Sequence, residues 1–119
     1  MEDREMNLPT ESLLLRIFIG ESDKSDGRPL YEVIVEKAHQ RGLAGATVLR
    51  GFLGYGANSR IHTTKVLRLS EDLPAVIEIA DSKENIEAFL PELNEMIGEG
   101  LVTLEKVRVI VYRHKQDEA

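Results

Sequence analysis

The chain contains no cysteine, which removes disulfides, thiolate nucleophiles and cysteine-ligated metals together. It has no tryptophan and only 5% aromatic residues, so it offers no stacking platform for single-stranded nucleic acid. Basic residues are also in deficit: 15 Lys and Arg stand against 21 Asp and Glu, a net charge of −6. DNA and RNA binding rests on basic surface that neutralises phosphates, so no nucleic-acid partner is expected. A small phosphate ligand held by a few arginines and backbone N–H groups stays open. No apolar run approaches the roughly 18 residues of a membrane span. Met1 to Glu11 is polar and charged, without the apolar core of a signal peptide. The expectation is a cytoplasmic protein that is not an integral membrane protein.

Catalytic signatures are missing as well. There is no G-x-S-x-G elbow, no Walker sequence and no evident nucleophile–base set. The histidines, His39, His62 and His114, have no metal-ligand spacing; His39 and His114 read as solvated. The carboxylates are scattered over predicted helix surfaces and tails, where a solvated face accounts for most of them. No enzyme activity, metal or cofactor is expected.

What remains is a 119-residue chain, 42% hydrophobic and 30% charged, the size of one domain. Residues 1–11 read as a tail. Leu13 to Ile19 reads as a strand with Leu13, Leu15, Ile17 and Ile19 on one face and Leu14, Arg16 and Phe18 on the other. A helix is predicted from near Asp26–Pro29 to Gly42, with Leu30, Val33, Ile34 and Ala38 as its apolar stripe. A second strand follows over about 46–54, then a polar loop, a short return strand Lys65–Leu69, and a third main strand Pro74–Ala80. Asp81-Ser82-Lys83-Glu84 has the form of a capping box, with Asp81 as the cap. It opens a helix striped by Ile86, Phe89, Leu90, Leu93 and Ile97, with a kink or irregular turn expected at Pro91. A last strand, Leu101 to Tyr112, precedes a charged tail over 113–119.

The order β-α-β-β-α-β is the ferredoxin-like α+β pattern: a four-stranded antiparallel sheet with two helices on one face. The other face is also largely apolar, through Leu14, Phe18 and the last strand, where Arg108, Ile110 and Tyr112 alternate onto it. Exposed apolar patches mark interfaces, so a homo-oligomer packed through the open sheet face is expected. Arg108 on that face needs a partner, either a protein carboxylate or a bound anion.

Two glycine corners stand out: Gly51, Gly54 and Gly56, followed by the polar loop, and Gly98-Glu99-Gly100. The first is not a dinucleotide fingerprint, because a loop and not a helix follows it. Each corner has a plain structural reading, as a bulge or a helix cap and turn. The alternative is that the corners and the loop form a ligand site. Arg50, Arg60, Arg108 and Arg113 are the candidate phosphate partners. Acylphosphatases share the fold class, but their phosphate loop follows the first strand, where this chain has the acidic run Glu21–Asp26; that reaction is discounted.

Thr47-Val48 running into Arg50-Gly51-Phe52, Leu73-Pro74 leading into Val76-Ile77-Glu78-Ile79, and Gly98-Glu99-Gly100 before Val107-Arg108-Val109 together resemble the PII signalling proteins. Over 12–112 the chain resembles a PII-like branch of that superfamily. The resemblance implies a homotrimer with adenine nucleotide at subunit clefts. It further implies a loop between the second and third strands that changes shape with the ligand and docks on a membrane transporter or channel. It places Thr47 near the adenine, Gly51, Gly54, Tyr55 and Gly56 at the loop base, and Gly98, Glu99 and Gly100 on phosphates together with Arg108. Asn58, Arg60, His62 and Lys65 fall in the partner loop. Leu101, Ala75 and Ile110 stand where PII proteins have cations, which favours ADP or AMP over ATP and argues against 2-oxoglutarate sensing. The trimeric CutA metal-tolerance proteins share fold and assembly and form the alternative, though no cluster of ligands for a metal is visible.

Overall fold

The computed structural model describes residues 3–5, 8–56 and 73–115. The strands are β1 Asp3–Glu5, β2 Glu11–Gly20, β3 Lys24–Ser25, β4 Arg28–Pro29, β5 Thr47–Arg50, β6 Pro74–Asp81, β7 Leu101–Arg108 and β8 Arg113–Lys115; the helices are α1 Leu30–Gln40 and α2 Lys83–Met96. The main sheet is antiparallel with order β5-β6-β2-β7. This is the expected ferredoxin-like arrangement.

Alternation along the two central strands builds the core. Leu15, Ile17 and Ile19 of β2 and Ala75, Ile77 and Ile79 of β6 are buried beneath Leu30, Ile34 and Ala38 of α1 and Ile86, Phe89 and Leu93 of α2. The apolar residues recur at period two in the strands and at helical spacing in the helices, and the two patterns meet in one layer. Gly42 follows the C-terminus of α1 at φ +74°, and its N–H donates to the His39 carbonyl. Glycine takes this left-handed cap without strain.

Several boundaries differ from the sequence expectation. Asp26 (φ 50°) and Gly27 (φ 80°) form the turn of the β3–β4 ribbon, so α1 begins only at Leu30. Asp-Gly is the dipeptide that a hairpin turn with two positive φ angles favours, and this signal locates the ribbon. β5 ends at Arg50 rather than near 54. α2 runs uninterrupted through Pro91. Its cap is Ser82, whose Oγ accepts the Asn85 N–H at 3.1 Å, and not Asp81. β7 ends at Arg108; Val109 donates its N–H to the Thr10 carbonyl, and the chain then leaves the edge until the Tyr112 hydroxyl donates to the Ala44 carbonyl. The segments read as tails supply a short ribbon, Asp3–Glu5 against Arg113–Lys115. The expected return strand Lys65–Leu69 lies outside the described residues.

Asp81 has a different task from the expected cap. Its carboxylate is buried and accepts from the Ser82 N–H at 2.6 Å, the Asn85 amide at 3.0 Å and the Ala44 N–H at 2.8 Å. It ties the end of β6 to the start of α2 and to the loop entering β5. Replacing it by alanine leaves the Ser82 and Ala44 N–H groups without their acceptor at a buried position. Asp81→Ala is therefore expected to destabilise the protein by about 3 kcal/mol, against about 1 kcal/mol for Ser82→Ala, in urea unfolding. Equal effects would show that the carboxylate carries no more than the cap.

Candidate functional site

The register sorts the sequence candidates onto the two ends of the sheet. Phe18 is paired with Leu101, Gly20 with Pro74, and the Gly51 N–H donates to the Pro74 carbonyl. Gly51–Gly56 and Gly98–Gly100 therefore share one end, at opposite edges of the sheet. With strands spaced by ~4.8 Å, three spacings put the two corners about 14 Å apart. Arg108 is paired with Glu11 and lies at the other end, about 26 Å along the chain from Gly100 at ~3.3 Å per residue.

The glycines divide by what surrounds them. A Cβ on Gly51 would lie 2.5 Å from the Pro74 ring, and one on Gly54 would lie 3.1 Å from it; both are glycine because the chain folds closely over Pro74. On Gly100 a Cβ would meet the Phe18 carbonyl oxygen at 2.6 Å. At Gly98 and Gly56 nothing lies within 4 Å, so packing in the protomer does not require glycine there. Gly98, Glu99 and Gly100 are exposed, and their N–H groups take no part in the turn and loop hydrogen bonds among the described residues. Gly98 and Gly100 stand at the rim of an open cleft of about 690 Å³ between α2 and β7, where Leu90, Pro91, Ile97 and Val102 form an apolar wall and Glu87 and Asn94 add polar groups. This cleft was not evident from sequence, because it joins a helix face to an edge strand.

The glycine segment after β5 presents Phe52, Leu53 and Tyr55 at 83%, 71% and 81% exposure. Tyr55 was a sequence candidate; Phe52 and Leu53 were not singled out. Thr47 is exposed and faces the helix-free side with its partner Glu78. Arg50 is engaged by Glu21, Nε to Oε2 at 2.6 Å and the terminal nitrogen to Oε1 at 3.0 Å, so a structural ion pair occupies it. Arg113 lies in β8 opposite Glu5. Asn58, Arg60, His62 and Lys65 lie outside the described residues.

Arg108 needs correction. Its partner Glu11 alternates with Ser12, Leu14, Arg16 and Phe18, so Arg108 faces the helix side of the sheet and not the open face. It is exposed. Ile110 and Tyr112, expected beside it on β7, lie beyond the strand. The open face carries Leu14, Phe18, Val76 and Val107, all half-buried, with the exposed Leu49 and Leu101. At its centre Arg16 reaches Glu78 at 2.9 Å and Glu105 at 2.6 Å. The hydrogen bond that Arg16 donates to the Glu78 carboxylate, aided by the charge of Glu105, raises the Arg16 pKa above its ordinary value.

No group of three His, Cys, Asp or Glu side chains among the described residues can hold a metal ion. Among the same residues no helix is long and apolar enough to cross a membrane.

Comparison with known proteins places this fold. The profile of DUF190, described as "Uncharacterized ACR, COG1993", matches residues 12–109. The chain belongs to the DUF190 family. It is 45% identical over 97 residues to a UPF0166 protein of Aquifex aeolicus, covering 82% of this chain and 91% of the relative. It is 37% identical over 97 residues to a UPF0166 protein of Methanocaldococcus jannaschii, covering 81% and 89%. A second Aquifex aeolicus UPF0166 protein is 32% identical over 99 residues, covering 83% and 97%. The matched segment of the DUF190 chain takes in both glycine corners, the open sheet face and Arg108, and omits the β1–β8 ribbon.

The steric division of the glycines is testable. Gly51→Ala is expected to lower stability by about 1–3 kcal/mol through overlap with Pro74, whereas Gly98→Ala is expected to stay within about 0.5 kcal/mol of the parent. Urea unfolding of both variants decides it; a Gly98→Ala loss as large as that of Gly51→Ala would contradict the division.

Proposed function

We propose that this DUF190 chain is a PII-like regulatory protein. It binds an adenine nucleotide, ADP or AMP in preference to ATP, at clefts between copies in a homotrimer, and signals through the 54–65 loop to a partner such as a membrane transporter or channel. The observation that carries the reading is the Gly98-Glu99-Gly100 corner: three exposed residues beside a cleft with an apolar wall, with glycine at 98 where packing does not require it. Consecutive N–H groups in such a corner suit phosphate oxygens, and an apolar cleft beside them suits a base.

The separation along β7 supports a site shared between copies. One protomer cannot bring its own corner and its own Arg108 to the same phosphate across about 26 Å; two copies meeting edge to edge can. The uncovered face and edges supply the contact surface. Leu101, Val102 and Leu104 of β7 and Val48 and Leu49 of β5 are all exposed in the protomer, as edges meant for burial would be. The preference for few phosphates follows from the side chains at the positions where the PII proteins have cations. Ala75 is buried in the core, and Leu101 and Ile110 are exposed but uncharged, so none of the three adds a cation. Nucleotide can shift the loop only by binding its two states with different affinity. Phe52, Leu53 and Tyr55, exposed where the loop begins, are the side chains whose covering would couple the two.

Thermal unfolding with AMP, cyclic AMP, ADP, ATP and cyclic di-AMP, with and without Mg²⁺, tests the reading. A ligand at about 100 times its Kd stabilises the native state by roughly 2.7 kcal/mol, which moves Tm by several degrees in a domain of this size. A selective shift for one adenine nucleotide is expected, carried by a species of three times 13.4 kDa in light scattering. No shift with a folded trimer would remove nucleotide sensing and leave the fold standing. Arg108→Ala is expected to leave Tm without ligand unchanged, since the side chain is exposed, and to weaken nucleotide binding about ten-fold. Unchanged affinity would remove Arg108 from the site.

A further inference from the structure

At the Arg108 end of the sheet an open recess of about 920 Å³ lies between the start of α2, the end of β7 and the start of β2. Three cations line it: Lys83, Lys106 and Arg108. Lys106 and Arg108 are two residues apart on β7 and pair with Leu13 and Glu11, so they share the helix side of the sheet, and Lys83 opens α2 beside them. Glu11 and Glu84 also line the recess, which leaves cations in the majority within a chain of net charge −6.

These three cations differ from most others in the molecule. Arg16, Arg28, Lys37, Arg41 and Arg50 each make an ion pair within 4 Å. Lys83, Lys106 and Arg108 make none among the described residues, although Glu11 and Glu84 lie in the same recess. With three cations against two carboxylates and no ion pair within 4 Å among the described residues, the recess keeps an excess of positive charge and the mutual repulsion that goes with it. A multiply charged anion removes that repulsion, since phosphate oxygens accept from lysine and arginine together.

We propose that Lys83 and Lys106 act with Arg108 as a binding site for a phosphate chain, and that they supply the positive charge lacking around Leu101. The ligand class is a phosphorylated small molecule with at least two phosphates, which narrows the proposed nucleotide to ADP over AMP. That identity rests on the function proposed above; the anion site itself does not. In an assembly, the base occupies the apolar cleft by the Gly98–Gly100 corner of one copy, and the phosphates extend into the cation recess of the next.

Isothermal titration of ADP, AMP and inorganic tripolyphosphate into the full chain and into Lys83→Ala, Lys106→Ala and Lys106→Arg tests this. Both lysines are on exposed positions, and circular dichroism checks that the variants fold. The expected result is ADP binding that weakens roughly ten-fold or more in each alanine variant, with Lys106→Arg close to the parent and AMP little affected. ADP binding that is unchanged in both alanine variants overturns the lysine site and leaves the nucleotide reading intact. Tripolyphosphate binding that depends on the lysines, with no nucleotide bound, upholds the anion site and overturns the nucleotide reading. Binding of neither overturns both.

Discussion

The position of β2 between β6 and β7 is the constraint from which the rest follows. Eight successive residues of this strand pair with β6, and eight pair with β7. Its odd-numbered residues form the centre of the core and its even-numbered ones the centre of the open face. A slip of one residue would exchange Leu15, Ile17 and Ile19 for Leu14, Arg16 and Phe18 beneath the helices. The same register fixes the functional geography: Phe18 against Leu101 puts the glycine corner at one end, and Glu11 against Arg108 puts the guanidinium at the other. The sheet is a rigid spacer, so any ligand that uses both ends must draw them from different copies.

Asp81 and Tyr112 secure the second end. Ala44 is held twice, its N–H by the Asp81 carboxylate and its carbonyl by the Tyr112 hydroxyl. Asp81 also holds the Ser82 N–H at the start of α2. Through these bonds the start of α2, the entry to β5 and the chain beyond β7 form one connected unit. Lys83 follows Ser82 at the start of α2, and Lys106 and Arg108 end β7, so the recess borders this unit.

Much of this fold was legible in the sequence because its signals are local. The strand alternation of Leu13–Ile19, the stripes of both helices apart from Val33, which stays outside the core, and Gly42 as the stop of α1 appear as expected. The misplacements came where distant contacts override local propensity. Val109–Tyr112 has the composition of a strand, but β2 begins at Glu11 and has no residues left to continue pairing beyond Thr10, so the chain turns away toward Ala44. Arg108 went to the wrong face because its neighbours Ile110 and Tyr112 were counted in the same strand. Asp81 and Ser82 exchanged roles because the acidic residue is the last of a strand whose inward side chains are buried, and a buried carboxylate takes every donor in reach. The recess of Lys83, Lys106 and Arg108 could not be read from the sequence, since Lys83 lies more than twenty residues from the other two and only the packing of α2 on the sheet brings them to one recess. The glycine corners were visible as corners, but only the Pro74 and Phe18 contacts separate the glycines that packing demands from Gly98, which it does not.

The central claim is that one ligand site draws the Gly98–Gly100 corner from one copy and Arg108 from another. Subunit mixing tests it most directly. Gly98→Asp, which sets a carboxylate against an anion, and Arg108→Ala should each lose high-affinity nucleotide binding alone, by about ten-fold or more. Unfolded together and refolded as mixed assemblies, they should regain it at interfaces that pair an intact corner with an intact Arg108. Binding that stays absent in assemblies shown to be mixed would contradict the shared site.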